Sequence, residues 1–235
     1  MEPIATRVKI CCISSVEEAR LAVHHGAAAV GLVLEMPSGP GVISEQLATG
    51  IAATVPPGVA SFLLTSRQSA AAIIDQQRRL RVNTVQICDH LTDGTYQHLK
   101  EALPGISLVQ VVHVTGEESL AEAIGLPPFV DALLLDSGNQ KLAVKELGGT
   151  GRRHNWQISR RIRESVRVPV YLAGGLRAEN VAEAINTVKP FGLDVCTGVR
   201  VDGRLDELKL AAFMRAVHTA AQQRVAGDAR QKPRP

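Results

Sequence analysis

The sequence has few aromatic residues, few cysteines and no long hydrophobic segment. One Trp, two Tyr and four Phe in 235 residues, with a net charge of +3, supply neither the stacking side chains nor the basic face typical of nucleic-acid-binding proteins. The longest charge-free stretch, 46–66, is interrupted by Pro56-Pro57-Gly58, so it predicts no membrane span. We therefore expect neither a nucleic acid nor a membrane as a partner.

Four cysteines, Cys11, Cys12, Cys88 and Cys196, are too few for a disulfide scaffold in a chain of this length. The first residues carry Glu2 and Pro3 and lack the apolar segment of a signal peptide. These features predict free thiols in a reducing cytoplasm. The hydrophobic and charged fractions, 45% and 21%, are typical of a folded globular chain.

Short aliphatic runs alternate with helical patterns along the whole chain. Eight runs are typical of strands buried on both faces, and they begin near Val8, Ala28, Gly58, Val82, Ser107, Val130, Val168 and Phe191. Eight units of about 25 residues predict a single (β/α)8 TIM barrel, with an open doubly wound sheet as the alternative. We assign the barrel to residues 8–224, after an N-terminal extension, 1–7, and before a basic, disordered tail, 225–235.

In such a barrel the chemistry lies at the carboxyl ends of the strands, where all four cysteines and Asp136 fall. Asp136 ends a strongly apolar strand, so it is a candidate general acid, with a helix N-cap or an ion-paired carboxylate as alternatives. Cys11 shares a face of the first strand with Lys9 by the period of two. A lysine beside it would make Cys11 a candidate base or nucleophile, and the alternative is a small buried hydrophobe.

Three glycine-containing clusters fall on the same rim: Gly148-Gly149-Thr150-Gly151, Gly174-Gly175 and Thr197-Gly198. Glycine lets backbone amides approach a phosphate closely, and a helix N-terminus adds positive potential. The helix after the second cluster is predicted to begin near Ala178. One glycine pair alone would more often be a plain turn, but three clusters on one rim predict a phosphate-binding site.

Seven stretches occur in the order found in one barrel family: VKIC (8–11), GAAAVGLV (26–33), VQ (85–86), LLLDS (133–137), GGTG (148–151) with Trp156, LAGGL (172–176) with ENV (179–181), and LDV (193–195) with TGV (197–199). In this combination the chain resembles the phosphoribosylanthranilate isomerase family of tryptophan biosynthesis. The resemblance covers residues 8 to about 213, nearly the whole barrel.

The resemblance implies an Amadori rearrangement of N-(5′-phosphoribosyl)anthranilate to 1-(2-carboxyphenylamino)-1-deoxyribulose 5-phosphate. It makes Asp136 the general acid for the ribose ring oxygen and Cys11 the general base at sugar carbon 2. The remaining expected contacts are Lys9, Gln86, Gly149 and Gly151 for the substrate, and Gly174, Gly175, Thr197 and Gly198 for its phosphate. A small phosphosugar is the implied partner of a monomer or homodimer, with no metal and no organic cofactor.

Several positions depart from the family's pattern. Cys12 replaces a glycine, Cys196 a serine and Arg200 a glutamate, and the fourth strand ends in Cys88-Asp89 where the family has His-Gly. Gly41 stands where the loop after the second strand normally carries an arginine for the anthranilate carboxylate. Loss of that partner could weaken binding by a few kcal/mol, on the order of a charge-assisted hydrogen bond. The candidate replacements are Arg67, Arg152 and Arg200.

Three other functions stay open on the sequence. One is a paralogous isomerase or lyase for a different phosphosugar, and another is a non-catalytic phosphate-ligand-binding barrel. The third is a thiol-based metal or redox site that uses the cysteines and His90. Adjacent Cys11 and Cys12 are expected on opposite faces of a strand, and no Cys-x2-Cys is present, which disfavours that third function. We expect His113 to be a hydrogen-bonded barrel residue and Trp156 to begin or pack the sixth helix.

Overall fold

A computed structural model describes the backbone of residues 6–231, with side chains through residue 223, as a closed barrel of eight parallel strands. The strands are β1 (Arg7–Ile10), β2 (Ala29–Val33), β3 (Ala60–Thr65), β4 (Thr84–Ile87), β5 (Ser107–His113), β6 (Ala132–Asp136), β7 (Val170–Leu172) and β8 (Gly192–Val195). The helices are α1 (Val16–His24), α2 (Glu45–Ala52), α3 (Ala70–Leu80), α4 (Tyr96–Ala102), α5 (Glu118–Gly125), α6 (Trp156–Ser165), α7 (Val181–Val188) and α8 (Glu207–Gln231). A 3₁₀ turn (Thr197–Val199) and a short hairpin of β9 (Arg200–Val201) and β10 (Arg204–Leu205) precede α8.

The predicted (β/α)8 barrel is confirmed, because each strand pairs in parallel with the next and β8 closes on β1. The described residues include only part of the predicted N-terminal extension and of the predicted C-terminal tail. Residues 1–5 of the extension and 232–235 of the tail lie outside the described residues, and α8 continues as far as Gln231. The helix after the glycine pair, α7, begins at Val181 and not near Ala178, because a turn occupies the intervening residues.

Side-chain caps explain where several helices begin. The Ser15 hydroxyl accepts a hydrogen bond from the amide of Glu18, and Ser44 does the same for Leu47. Each bond satisfies one of the amides that a helix N-terminus leaves free. At α6 the cap is Asn155, so the helix begins at the buried Trp156, as predicted.

The barrel interior holds a buried ion pair between neighbouring strands. Lys9 on β1 lies opposite Asp194 on β8 in the strand register, and Lys9 Nζ donates to Asp194 Oδ1 at 2.8 Å. Burial disfavours the charged lysine, but the attraction and hydrogen bond of Asp194, together with the effects of Cys11 and Cys12, outweigh it and raise the pKa of Lys9 above its usual range. The last seam of the barrel is therefore closed by an ammonium and a carboxylate, both removed from water.

We expect Asp194→Asn to lower the free energy of unfolding by about 3–5 kcal/mol, because it leaves the buried Lys9 ammonium without its counter-ion. Adding Lys9→Met should recover part of that loss, since the double variant buries no unpaired charge. Urea unfolding of the four proteins in the double-mutant cycle measures the coupling. Strictly additive losses would show that the pair contributes no interaction of its own.

Candidate active site

The carboxyl ends of the strands surround a pocket. Eight of the ten predicted site residues line it: Cys11, Gln86, Asp136, Gly149, Gly151, Gly174, Gly175 and Thr197. Lys9 and Gly198 do not line it. The topology therefore brings the predicted thiol, carboxylate and glycine clusters to one cavity.

The cation beside Cys11 is Lys9, as the shared strand face predicted. Lys9 Nζ lies 3.5 Å from Cys11 Sγ, and Lys9 is fully buried. Gly31 on β2 has no side chain, which leaves space for the side chains of Lys9 and Cys11. A Cβ on Gly31 would lie 3.1 Å from both Cys11 Sγ and Lys9 Nζ. The charged partner of Lys9 is Asp194 on β8.

Asp136 ends β6 and is almost fully buried, yet it borders the pocket. Its Oδ1 accepts a hydrogen bond of 2.7 Å from the amide of Ser137. Within residues 6–223 it forms no salt bridge with a lysine or arginine, and no helix begins next to it. Neither alternative to a functional carboxylate is therefore observed. The missing side chain of Gly174 keeps the space above it open, because a Cβ there would lie 3.2 Å from Asp136 Oδ1.

His154 borders the same space and was not predicted as a site residue. A Cβ on Gly174 would lie 3.0 Å from His154 Nδ1, and the ring's Nε2 lies 2.7 Å from Ser159 Oγ. The Nδ1 atom is buried and has no hydrogen-bond partner among the described residues. Burial lowers the pKa of His154 to about 4, an effect that Asp136 only partly opposes. A neutral imidazole therefore stands beside Asp136 at neutral pH.

Three loops, after β6, β7 and β8, line the pocket and carry the glycine clusters predicted to bind phosphate. A Cβ on Gly175 would lie 2.8 Å from the Arg152 carbonyl carbon, so this glycine allows the loops after β6 and β7 to touch. Asn180 Nδ2 donates to the carbonyl of Gly175 at 2.9 Å and holds the turn in place. Thr197 begins the 3₁₀ turn, where the first amides have no acceptor within the helix. No lysine or arginine lines the pocket among the side chains described, so backbone amides are the donors available to an anion.

Three of the residues that depart from the family pattern, Cys12, Gly41 and Cys196, lie next to one another. Cys12 follows the end of β1 with a φ of 62°, a left-handed conformation that its family glycine would adopt freely. Its side chain therefore joins Cys11 in the pocket wall, and the expectation of opposite strand faces is wrong. Cys12 Sγ lies 2.7 Å from Cys196 Sγ. A Cβ on Gly41 would collide with the Cβ of Cys12.

Arg200 supports this cluster from below. Its Nη2 donates to the carbonyls of Cys11 at 3.0 Å and Cys12 at 2.6 Å, and its Nη1 lies 3.0 Å from Glu18 Oε1. Arg200 is buried by these contacts and does not line the pocket. The arginine predicted as a replacement for the missing side chain at position 41 is therefore structural.

The other two arginine candidates lie outside the pocket as well. Arg152 is exposed and paired with Glu146, and Arg67 lies 4.0 Å from Glu45. No direct replacement for the family arginine is thus present in the pocket wall among the described residues.

Gln86 is buried in the pocket wall with a free acceptor. Its Nε2 lies 3.7 Å from Cys88 Sγ, and its Oε1 has no hydrogen-bond partner in the described part of the chain. His113 is a hydrogen-bonded barrel residue, as predicted, with Nε2 3.0 Å from the carbonyl of Cys88. His90 is exposed and outside the pocket.

Among the described residues, no group of three or more His, Cys, Asp or Glu side chains is arranged to hold a metal ion. No described helix is long and apolar enough to cross a membrane.

The depressed pKa of His154 makes stability depend on pH. In the unfolded chain its pKa is 6.5, so between pH 6.5 and about 4 the unfolded state binds more protons. The contribution of the neutral His154 to the free energy of unfolding is complete above pH 6.5 and is lost as the pH falls towards 4. We expect His154→Gln to remove about 1–3 kcal/mol of the stability difference between pH 7 and pH 4.5. Urea unfolding at both pH values measures this, with the exposed His98→Gln as control; parallel pH profiles for wild type and His154→Gln would contradict it.

Comparison with known proteins agrees with this geometry. The family model for N-(5′-phosphoribosyl)anthranilate isomerase matches residues 8–216. The N-(5′-phosphoribosyl)anthranilate isomerase of Methanocella arvoryzae is 35% identical over 205 residues, which are 87% of this chain and 94% of the relative. The crystal structure of phosphoribosyl anthranilate isomerase from Thermotoga maritima has a TM-score of 0.76 and 29% identity, and the match covers 91% of this chain and 99% of that one.

A further solved structure shows a relative with a ligand. It is a phosphoribosyl anthranilate isomerase in complex with reduced 1-(o-carboxyphenylamino)-1-deoxyribulose 5-phosphate, with a TM-score of 0.74 and 27% identity over 91% of this chain and 99% of that one. The family match spans all eight strands, and the relatives are matched over nearly their whole length. The chain therefore belongs to the N-(5′-phosphoribosyl)anthranilate isomerase family.

Proposed function

We propose that this chain converts N-(5′-phosphoribosyl)anthranilate to 1-(2-carboxyphenylamino)-1-deoxyribulose 5-phosphate, with Asp136 as general acid and Cys11 as general base. The observation that carries the assignment of roles is the placement of a thiol and a carboxylate at the carboxyl ends of β1 and β6, in one pocket with glycine-rich loops. The relative described with the reduced product analogue supports the same ligand class for this pocket.

The phosphate anchors the substrate at Gly174, Gly175 and Thr197, where backbone amides are available. Asp136 then protonates the ribose ring oxygen, the bond between that oxygen and carbon 1 breaks, and the anthranilate nitrogen becomes an iminium. Cys11 removes the proton from carbon 2, and the electron pair of the broken carbon–hydrogen bond forms the enolamine double bond. Tautomerisation of the enolamine gives the ketone. Each proton transfer is general acid–base chemistry between groups held by different strands.

The surroundings of the two groups suit these parts. Cys11 has the buried Lys9 ammonium 3.5 Å from its sulfur, and a cation at that distance favours negative charge on the atom that takes the proton. Asp136 stands beside the neutral His154 and has no cationic partner among the described side chains. The free Oε1 of Gln86 is placed to accept a hydrogen bond from a substrate hydroxyl or amine.

Cys11→Ser and Asp136→Asn should each lower kcat by about 100-fold or more, because each removes one proton-transfer group, while KM changes little. The measurement is the decay of substrate fluorescence with freshly prepared N-(5′-phosphoribosyl)anthranilate, corrected for spontaneous hydrolysis. Asp202→Asn is the matched control, since Asp202 is exposed in the β9–β10 turn. Full activity in either active-site variant would remove that residue from the mechanism.

The side of the pocket that would receive the anthranilate ring differs from the family pattern. Cys12 occupies the space that a side chain at position 41 would need, and Gly41 has a φ of 80°. We infer that the carboxylate is bound here without an arginine from this loop. The same observation favours a second candidate, a phosphosugar isomerase whose aglycone lacks a carboxylate. A folded protein that binds ribulose 5-phosphate but does not turn over the anthranilate substrate would support that second candidate.

The effects of substitutions at Gly41 and Cys12 should therefore depend on each other. Gly41→Arg alone should lower the melting temperature and leave KM no better, because the new Cβ collides with Cys12. Adding Cys12→Gly removes the collision, so the double variant should melt higher than Gly41→Arg and bind the anthranilate substrate more tightly. Thermal melting and KM of the single and double variants measure this; a lower KM in Gly41→Arg alone, with no loss of stability, would show that Cys12 does not close the position.

The proposal also includes the cellular compartment and the oligomeric state of the protein. All four cysteines are free, which suits the reducing cytoplasm predicted from the sequence. A small phosphosugar is the partner, and the chain works as a monomer or homodimer.

A further inference from the structure

Two free cysteines face each other across the last seam of the barrel. Cys12 follows β1 and Cys196 follows β8, and these strands are joined by a hydrogen bond of 2.8 Å from the Cys11 amide to the Val195 carbonyl. The two sulfur atoms lie 2.7 Å apart. A disulfide bond is about 2.05 Å long, so the sulfurs need to approach by less than about 1 Å.

The contact is fixed by the surrounding backbone. The left-handed conformation of Cys12 turns its side chain towards Cys196, and Gly41 leaves the space that this side chain fills. Arg200 holds the carbonyls of Cys11 and Cys12 and is itself paired with Glu18. The pair is therefore held in place on both sides of the sulfur contact.

The two thiols are chemically unequal. The hydrogen bond between the two thiols lowers the pKa of Cys196, with Arg200 adding to the effect against the opposing effect of burial. Cys12 itself is more deeply buried, and its hydrogen bonds with Cys11 and Cys196 raise its pKa. Cys196 is half-buried and lines the pocket, so it is the sulfur that a reagent in the pocket can reach. Cys196 is thus suited to attack and Cys12 to resolve.

We propose that Cys12 and Cys196 are a site of reversible disulfide formation at the edge of the active site, oxidised by a low-molecular-weight disulfide. The Cys196 thiolate attacks one sulfur of the small disulfide, forms a mixed disulfide and releases one small thiolate. Cys12 then loses its proton, attacks the Cys196 sulfur and releases the second small thiolate. Both protein thiols are oxidised, and the small disulfide is reduced to two thiols.

The bond would tie the residue after the proposed base to the residue before the phosphate loop. Because 184 positions separate the two cysteines, the cross-link closes most of the chain into one loop. Such a cross-link restricts the unfolded chain strongly while requiring little movement in the folded one. The oxidised protein should therefore melt at a higher temperature than the reduced protein, and the site does not depend on the roles proposed for Cys11 and Asp136.

The test is oxidation of the full chain with oxidised glutathione, followed by alkylation in denaturant, mass spectrometry and thermal melting. We expect the number of free thiols to fall from four to two, a peptide that joins Cys12 to Cys196, a rise in melting temperature, and reversal of all three by dithiothreitol. Cys12→Ser and Cys196→Ser should lose the cross-link and the rise, whereas the control Cys88→Ala should keep both.

Four alkylated thiols after oxidation, or a cross-link between other cysteines, would overturn the proposal. Glutathione that stays attached to Cys196 would also overturn it, because Cys12 would then not be placed to resolve the mixed disulfide. If a serine variant fails to fold, as judged by circular dichroism, the peptide map of the wild-type protein decides the question alone.

Discussion

The ion pair between Lys9 and Asp194 is the interaction on which the active site depends. An ammonium buried inside the barrel is costly unless a charge of opposite sign compensates it, and Asp194 does so at 2.8 Å. Lys9 also reaches Cys11, so the field of the compensated cation still falls on the proposed base. The strand register that closes β8 against β1 therefore also sets the electrostatic surroundings of Cys11.

On the opposite side of the pocket, the described residues around Asp136 leave open space and place no cationic side chain next to it. Asp136 has no cationic partner in the described part of the chain, and its neighbour His154 is kept neutral by burial. Gly174 keeps the region between Asp136 and His154 open. One proposed proton-transfer group thus stands beside a cation and the other beside a neutral ring. Such a difference in surroundings lets two groups in one cavity take opposite parts in catalysis.

Local patterns predicted the fold and most of the site, because strand period and repeat length decide which residues reach the carboxyl rim. Cys11, Asp136 and the glycine loops reach the pocket for that reason. Asp194 was missed as the partner of Lys9 because their contact joins positions 185 residues apart and depends on how the barrel closes. His154 lies in a loop, where no periodicity indicates direction. The predicted direction of the Cys12 side chain was wrong because β1 ends at Ile10 and Cys12 has a positive φ.

The departures from the family pattern are better understood as one coupled change than as separate losses. A cysteine in the left-handed region costs about 1 kcal/mol relative to glycine, so Cys12 needs compensating contacts. It obtains them from Cys196 and from Arg200, which binds its carbonyl. Its side chain in turn excludes any side chain at Gly41. Once Cys12 is present, an arginine at position 41 cannot be accommodated without a shift, so the missing arginine follows from the rebuilt wall and does not by itself indicate a loss of catalysis.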